Sequence, residues 1–571
     1  MPEEAIDFTR YHKYDELVEI LRDLAGRYPD LTTLQSIGRS YEGRDLWLME
    51  VTNQGTGPGD RKPAFYIDAN IHAGEVTGSA VALYTIWYLL TKYGQEDRVT
   101  ELLDSTVFYI LPRVSVDGAE LYLTTPAMLR SSTRPYPDSE DEWLEQEGLV
   151  AEDVNGDGLI LQMRIKDDNG NWKVSASDPR LMILRAPDDR GGQYYRLYQE
   201  GVLRNWDGGP FDALRSKWGL DINRNWPSNW APEVQQAGSG PYPLSEPETR
   251  AVAEFIIKHR NIGGAMAYHT SGGEILRPFG TKGDDKMPPK DLTAYRTIAE
   301  RGRELTGYTP KSVFEDYTAD RSKPLRGVFM DWTYEQLGII TFSTELWNLA
   351  QRAGIPERTP AQVQKLTDRE REEDGLKLLK WNDEVLGGEG FVNWTPFNHP
   401  QLGEVEIGGW KTKFVRQNPP GKLLPEECHK NAMFTLAHAQ ALPHLTFSRI
   451  ERRTVGGEGG ECFVKVRVTV QNRGYLPTGG SEQAVVVGAV KPIEVSMACS
   501  DGVELVAGKE KEEIGQLEGR VGNFGGYFLG GSPKTERRLE WLFRVSRGKG
   551  SVTVTARSER AGTISRLIEL T

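Results

Sequence analysis

Cysteine is nearly absent: Cys428, Cys462 and Cys499, all late in the chain, are the three in 571 residues. An odd number cannot pair completely, so these read as reduced, mostly buried thiols rather than a disulfide framework. Long apolar runs are missing too. No stretch approaches the roughly eighteen unbroken apolar residues of a membrane span, which argues against a membrane partner. Positive charge is in deficit, with 69 Lys and Arg against 82 Asp and Glu and a formal net charge of −13. That balance argues against nucleic acid. The opening Met1-Pro2-Glu3-Glu4-Ala5-Ile6-Asp7 is acidic and lacks the basic and apolar regions of a secretory leader. Together with the thiols, it sets the expectation of a cytoplasmic protein. No internal repeat is visible.

What is present is a globular composition, 38% hydrophobic and 26% charged, too long for one core and suggesting two or three domains. The chain is organised around Ala64–Ala69, an apolar run that reads as a buried strand, and Val76–Leu90, an apolar segment of helical periodicity. At their join stand His72 and Glu75, with Gly74 between them to permit a tight turn. Ligands of open α/β sheets bind beyond the carboxyl ends of the strands. Two further candidate strands, Gly264–Tyr268 and Ile339–Phe342, lead into His269 and Glu345. All four side chains can therefore meet above one sheet edge. Two imidazoles and one carboxylate leave the fourth position of a tetrahedral Zn²⁺ open, as in catalytic sites, and a second carboxylate can accept a proton.

Alternating helix and strand over the N-terminal two-thirds predicts an α/β fold, a mixed central sheet flanked by helices. We divide the chain into a catalytic domain over 1–385, with a surface insertion at about 135–217, and a connecting segment over 386–444. From 445 to 571, short period-two strands separated by Gly-rich turns, including Cys462–Val470, Ala484–Val490, Leu539–Val545 and Val552–Ala556, predict an immunoglobulin-like β-sandwich. Within the insertion, Asp153, Asn155 and Asp157 form the D-x-N-x-D-G start of a calcium loop. The twelfth position is Arg164 rather than a bidentate Glu, which excludes a full EF-hand and leaves a looser Ca²⁺ site or a plain turn.

The spaced set His72-x-x-Glu75, His269-Thr270 and Glu345 resembles the zinc carboxypeptidases of the carboxypeptidase A type (the M14 family). Asp221-Ile222-Asn223-Arg224-Asn225-Trp226 resembles that family's D-x-N-R-N-W stretch, Asp117-Gly118 with Arg130 its D-G…R segment, and Asp331-Trp332 its pair before the last glutamate. The resemblance covers about residues 10–385. It implies His72, Glu75 and His269 as ligands of one Zn²⁺ and Glu345 as the acid–base residue. It further implies Arg130 polarising the scissile carbonyl, Asn223 and Arg224 holding the substrate's terminal carboxylate, and Asp221 orienting His72. Met330 falls at the family's specificity position. The family's mobile tyrosine has no counterpart at its usual spacing, where Lys323 stands; Tyr317, in a longer loop, is the candidate for its role. The expected substrates are peptide or protein C-termini, cleaved one residue at a time, with an apolar or aromatic residue favoured by Met330. Two alternatives are a related peptidase of cell-wall peptides or glutamate tails and, from another class, a non-catalytic binding protein whose sandwich does the work.

Overall fold

The computed structural model describes residues 6–457, 461–521, 534–546 and 550–570. Its centre is an eight-stranded sheet. In spatial order the strands are Thr32–Arg39, Asp45–Val51, Val107–Leu111, Ala64–Ala69, Ile262–Thr270, Ile340–Leu346, Glu274–Arg277 and Thr309–Ser312. The middle four are mutually parallel. Ala64–Ala69, Val107–Leu111 and Ile262–Thr270 are buried at every residue. Strands covered on both faces need no polar alternation, which is why they read as unbroken apolar runs. One face is covered by helices Val76–Lys92, Pro289–Thr306 and Leu424–Ala439, which contribute Leu83, Tyr295 and Phe434 to one core cluster. On the other face, Pro247–Lys258 and Phe329–Leu337 contribute Phe255, Phe329 and Trp332 to a second.

The stretch 386–444, expected as a connector, is built into this body instead. Strands Phe391–His399 and Gly403–Trp410 form a hairpin that pairs with Gln162–Lys166 of the insertion, making a six-stranded sheet with Tyr195–Gln199, Trp172–Val174 and Met182–Leu184. Arg164 pins the two parts: it pairs with Glu406 at 2.8 Å and lies over the rings of Tyr195 and Trp394. Helix Leu424–Ala439 is buried at Leu424, Cys428, Phe434 and Leu436.

Beyond it, two four-stranded antiparallel sheets pack Val464, Val466 and Phe543 against Val495, Val552 and Val554. The stretch expected as a strand over Ala484–Val490 is instead a short helix, Glu482–Val486, whose Val485 and Val486 are exposed. This unit is docked tightly on the α/β body. Leu476 and Val521 join the main core cluster, and Arg560 donates to the carbonyls of Leu337 and Gly338 at 2.6 and 2.9 Å. Of the cysteines only Cys428 is buried; Cys499 is exposed.

Candidate metal centre and substrate cleft

The strand Ala64–Ala69 ends at Asn70, whose φ of 61° is in the left-handed region that asparagine tolerates better than most residues. Its buried side-chain amide donates to the carbonyls of His72 and Ala73 at 2.6 and 3.0 Å. The turn is braced from outside as well. Asn418 donates to the carbonyl of Gly74 at 2.7 Å and accepts from the Thr77 amide at 3.1 Å. A side chain at Gly74 would press within 2.8–2.9 Å of the Gln417 amide and the Tyr122 ring, so the position admits only glycine without rearrangement.

These supports converge His72 and Glu75 with His269, and the three buried residues offer ligand atoms within 4.8 Å of one another. Nδ1 of His72 is 2.8 Å from Glu75 Oε1, Nδ1 of His269 is 3.0 Å from Glu75 Oε2, and the two Nδ1 atoms are 3.1 Å apart. On the far side of its ring, Nε2 of His72 faces Asp221 Oδ1 at 3.1 Å. A proton held there by Asp221 leaves the Nδ1 lone pair aimed at a carboxylate and a second imidazole, an arrangement that a cation between them would satisfy. The spacing suits one, because bonds of 2.0–2.1 Å in a tetrahedron place ligand atoms ~3.4 Å apart. The donor set therefore fits a zinc ion. Burial pushes the Glu75 carboxyl up, but His72 and His269 pull harder and hold it well below the usual range. Asp221 is likewise held low: burial opposes ionisation, and Arg130, Arg224 and His72 overcome it.

The remaining predicted residues surround this centre. Glu345 lies beside His269 in the neighbouring parallel strand, inside it rather than after it, as does His269 in its own. Burial first and the Glu75 charge second push Glu345 up, against His269 and Arg130. Arg130 donates through Nε to Asp221 at 3.0 Å and through a terminal nitrogen to Glu75 at 3.3 Å, with 44% of its side chain still exposed. Its neighbour Arg134 is committed elsewhere, to the buried Glu246 at 2.6 and 3.1 Å. Glu274, the other acid near His269, is paired with Lys311 at 2.5 Å. Asn223 accepts from the Phe329 amide at 2.9 Å. Arg224 makes its side-chain hydrogen bond to the Asn223 carbonyl at 2.8 Å and, among the described residues, no salt bridge. Met330 is buried with Leu276, Val313 and Val328, and Tyr317 and Leu325 pack on that cluster. The charge of Glu345, then burial, push the Tyr317 phenol far up.

The calcium expectation is not supported. Asp153 accepts the amides of Gly156, Asp157 and Gly158 at 2.8–3.2 Å, and Asn155 donates to Asp157 at 3.1 Å, so the turn is closed by its own side chains. Sequence reasoning missed Asn70, Gln417 and Asn418. For Asn70 a signal existed, a lone asparagine where an apolar strand turns; for Asn418, only the Asn-Pro turn.

A buried His-Glu-His cluster with a neighbouring carboxylate, at the carboxyl ends of parallel strands, defines the metal-dependent hydrolase class. Residues 17–360, more than half of the chain, match the zinc carboxypeptidase family (peptidase M14), and the chain belongs to that family. Residues 444–569 match a domain of unknown function (DUF8731). Among curated relatives, carboxypeptidase D of Drosophila melanogaster is 38% identical over 118 residues, 20% of this chain and 8% of that protein. Carboxypeptidase M of Mus musculus is 30% identical over 212 residues, 32% of this chain and 46% of that protein. The chain thus spans less than half the length of these relatives. The crystal structure of thrombin activatable fibrinolysis inhibitor aligns with 77% of this chain and 76% of its own, at 19% identity and a TM-score of 0.45.

Proposed function

We propose that this chain removes single C-terminal residues from peptides and proteins, with the apolar or aromatic preference of the A type. Arg224 carries the reading. Its guanidinium makes one hydrogen bond, to the Asn223 carbonyl, and no salt bridge among the described residues, which leaves donors to read a substrate carboxylate in bidentate fashion. Asn223, whose side-chain oxygen is taken by Phe329, offers its NH₂ group to the same carboxylate. The apolar cluster of Met330, Leu276 and Val313 favours an apolar side chain on the departing residue.

His72, Glu75 and His269 would hold zinc, which when bound supplies the Lewis acidity that makes water a competent nucleophile near neutral pH. Glu345 takes a proton from the attacking water on its carboxylate and passes it to the leaving amine nitrogen. Arg130 donates to the carbonyl oxygen as negative charge builds there, a contribution of about 3–4 kcal/mol by analogy with single oxyanion donors. Tyr317, which packs on the Met330 cluster, closes over the bound residue. The test is digestion of one peptide with a free and an amidated C-terminus, with and without chelator. Chelator-sensitive release of one residue from the free end alone supports the reading. Equal cleavage of the amidated peptide overturns it.

A further inference from the structure

The strand that bears Glu345 ends one residue later, at Leu346, and the chain turns at Trp347. Trp347 has a φ of 64° and is fully buried. A bulky residue in the left-handed region is an outlier, and such a conformation persists only where its surroundings hold it. Here every polar group of the residue is engaged. Its amide donates to the Tyr308 hydroxyl at 2.8 Å, its carbonyl accepts from the Gly272 amide at 2.9 Å, and its indole nitrogen donates to the Val415 carbonyl at 2.8 Å. We propose that Trp347, anchored by Tyr308 and Glu427, is a positioning residue that sets Glu345 against His269 for proton transfer; this rests on the carboxypeptidase reading above.

The turn ties together the two strands that carry the chemistry. Glu345 and His269 are register partners in parallel strands, and their ladder runs out one residue later, at Thr270 and Leu346. Past that point the loop after His269 is clamped to the turn after Glu345. Besides the bond between Gly272 and Trp347, the Gly273 amide donates to the Glu345 carbonyl at 2.7 Å, and the Asn348 side chain donates to the Gly272 carbonyl at 2.5 Å. The clamp lies against the acid–base residue itself: a side chain at Gly272 would come within 3.3 Å of Glu345 Cβ. A shift of the Trp347 turn therefore moves the Glu345 backbone and the surface its side chain rests on together.

The anchor is a tyrosine whose proton has one place to go. Tyr308 is 1% exposed, and its hydroxyl lies against the Glu427 carboxylate, itself 1% exposed. Glu427 is paired with Lys430 at 2.7 Å and Arg352 at 3.1 Å. A carboxylate so paired only accepts, so the phenolic proton points to Glu427 and an oxygen lone pair is left for the Trp347 amide. Burial first and the Glu427 charge second push the phenol well above its usual range, which keeps that proton in place. Val415 and Glu427 both lie outside the residues matched to the zinc carboxypeptidase family, and Asn418, which bonds to the metal turn, lies between them. One stretch of chain beyond the family's part thus holds both sides of the site, the ligand turn through Asn418 and the acid–base strand through Trp347.

The experiment uses the full chain with zinc and one N-blocked peptide with a free C-terminus. Tyr308→Phe keeps the ring and removes the acceptor of the Trp347 amide. It should lower kcat about 10–100-fold, the scale on which small misplacements of catalytic groups act, while KM and bound zinc per chain stay within about twofold. Glu427→Gln still offers an oxygen to the Tyr308 hydroxyl and should retain most of kcat, whereas Glu427→Leu offers none and should match Tyr308→Phe. If Tyr308→Phe does not fold, Trp347→Phe, which loses the indole bond to Val415, should lower kcat with KM held. Urea midpoints are recorded for every variant. A lowered midpoint with unchanged kcat per zinc-loaded chain makes the turn purely structural and overturns the proposal, as does a raised KM at unchanged kcat. Failure of the wild type to cleave any free-ended peptide overturns the carboxypeptidase reading instead, and the positioning role with it.

Discussion

The side-chain amide of Asn418 donates to the backbone carbonyl of Gly74 at 2.7 Å, joining the segment after the hairpin to the turn between two candidate metal ligands. The same side chain accepts from the amide and the hydroxyl of Thr77, at 3.1 and 2.8 Å, in the first turn of the following helix. A buried asparagine with every group engaged fixes a backbone path, and fixing this path fixes His72 and Glu75.

Asn418→Ala should therefore act on the metal before it acts on the fold. Stranding Gly74 O and Thr77 N costs about 2–4 kcal/mol in stability. Zinc affinity should weaken by about 10–100-fold, as when other outer partners of metal ligands are lost. Competition against a calibrated chelator measures the second. Unchanged affinity in a destabilised variant would show that the brace is purely structural.

This bond also marks where the sequence stopped being legible. The strands Ala64–Ala69 and Ile262–Thr270 announce themselves because burial on both faces leaves only apolar residues, and the chemistry then sits at their ends. His72, Glu75, His269 and Glu345 could be grouped on that ground alone. The segment 386–444 carries no such mark. Its hairpin pairs with Gln162–Lys166, more than two hundred residues away, and period-two patterning does not encode a partner that distant. Helix Leu424–Ala439 mixes Glu427, Asn431 and His438 into a buried surface, so its periodicity understates its burial. Ala484–Val490 failed for the opposite reason: consecutive β-branched residues read as a strand, but Ser481 caps a helix there by accepting from the Ala484 amide at 3.0 Å.

The docking of the C-terminal sheets yields a second prediction. Arg560 donates to the last carbonyls of helix Phe329–Leu337 and its cap, and Ala484 packs so closely on Gly338 that a methyl group there would meet it at 2.3 Å. That helix carries Met330. A chain ending at Gln440 should lose stability while keeping its chemistry, because no candidate catalytic group lies beyond it. Its urea midpoint should fall, and kcat/KM of whatever remains soluble should stay within about twofold of the full chain. A folded, soluble truncation without activity would show that the sheets complete the site.

Glu248 supplies a prediction about pH. It is 3% exposed, and burial, reinforced by Asp117 and Glu246, pushes its carboxyl up to about 7. Between about 4.5 and 7 the native chain keeps a proton that the unfolded chain releases. Stability from this group is thus present below the unfolded pKa and lost as pH rises through 7, by at most about 3 kcal/mol. Glu248→Gln cannot ionise. Its stability relative to wild type should improve by up to that amount between pH 4.5 and pH 8, read from urea midpoints at both. A difference that does not change with pH would rule out the raised pKa.

Glu345 and Arg224 should fail in different ways, because one acts on the transition state and the other on the ground state. Glu345 lies beside His269 and, among the described residues, its side chain makes no hydrogen bond that its amide isostere would have to replace, so Glu345→Gln should preserve the metal cluster and peptide binding. What it removes is proton transfer, worth roughly 10²–10⁴-fold in kcat. Arg224 meets a carboxylate that is charged before any bond breaks. Arg224→Ala should therefore raise KM far more than it lowers kcat, and should narrow the preference for a free over an amidated C-terminus. Arg224→Lys keeps the charge but loses the planar fork, and should fall between the two. Steady-state kinetics of all four proteins on the paired peptides separate these effects. A Glu345→Gln variant with unchanged kcat and a raised KM would remove Glu345 from proton transfer and make it a binding residue.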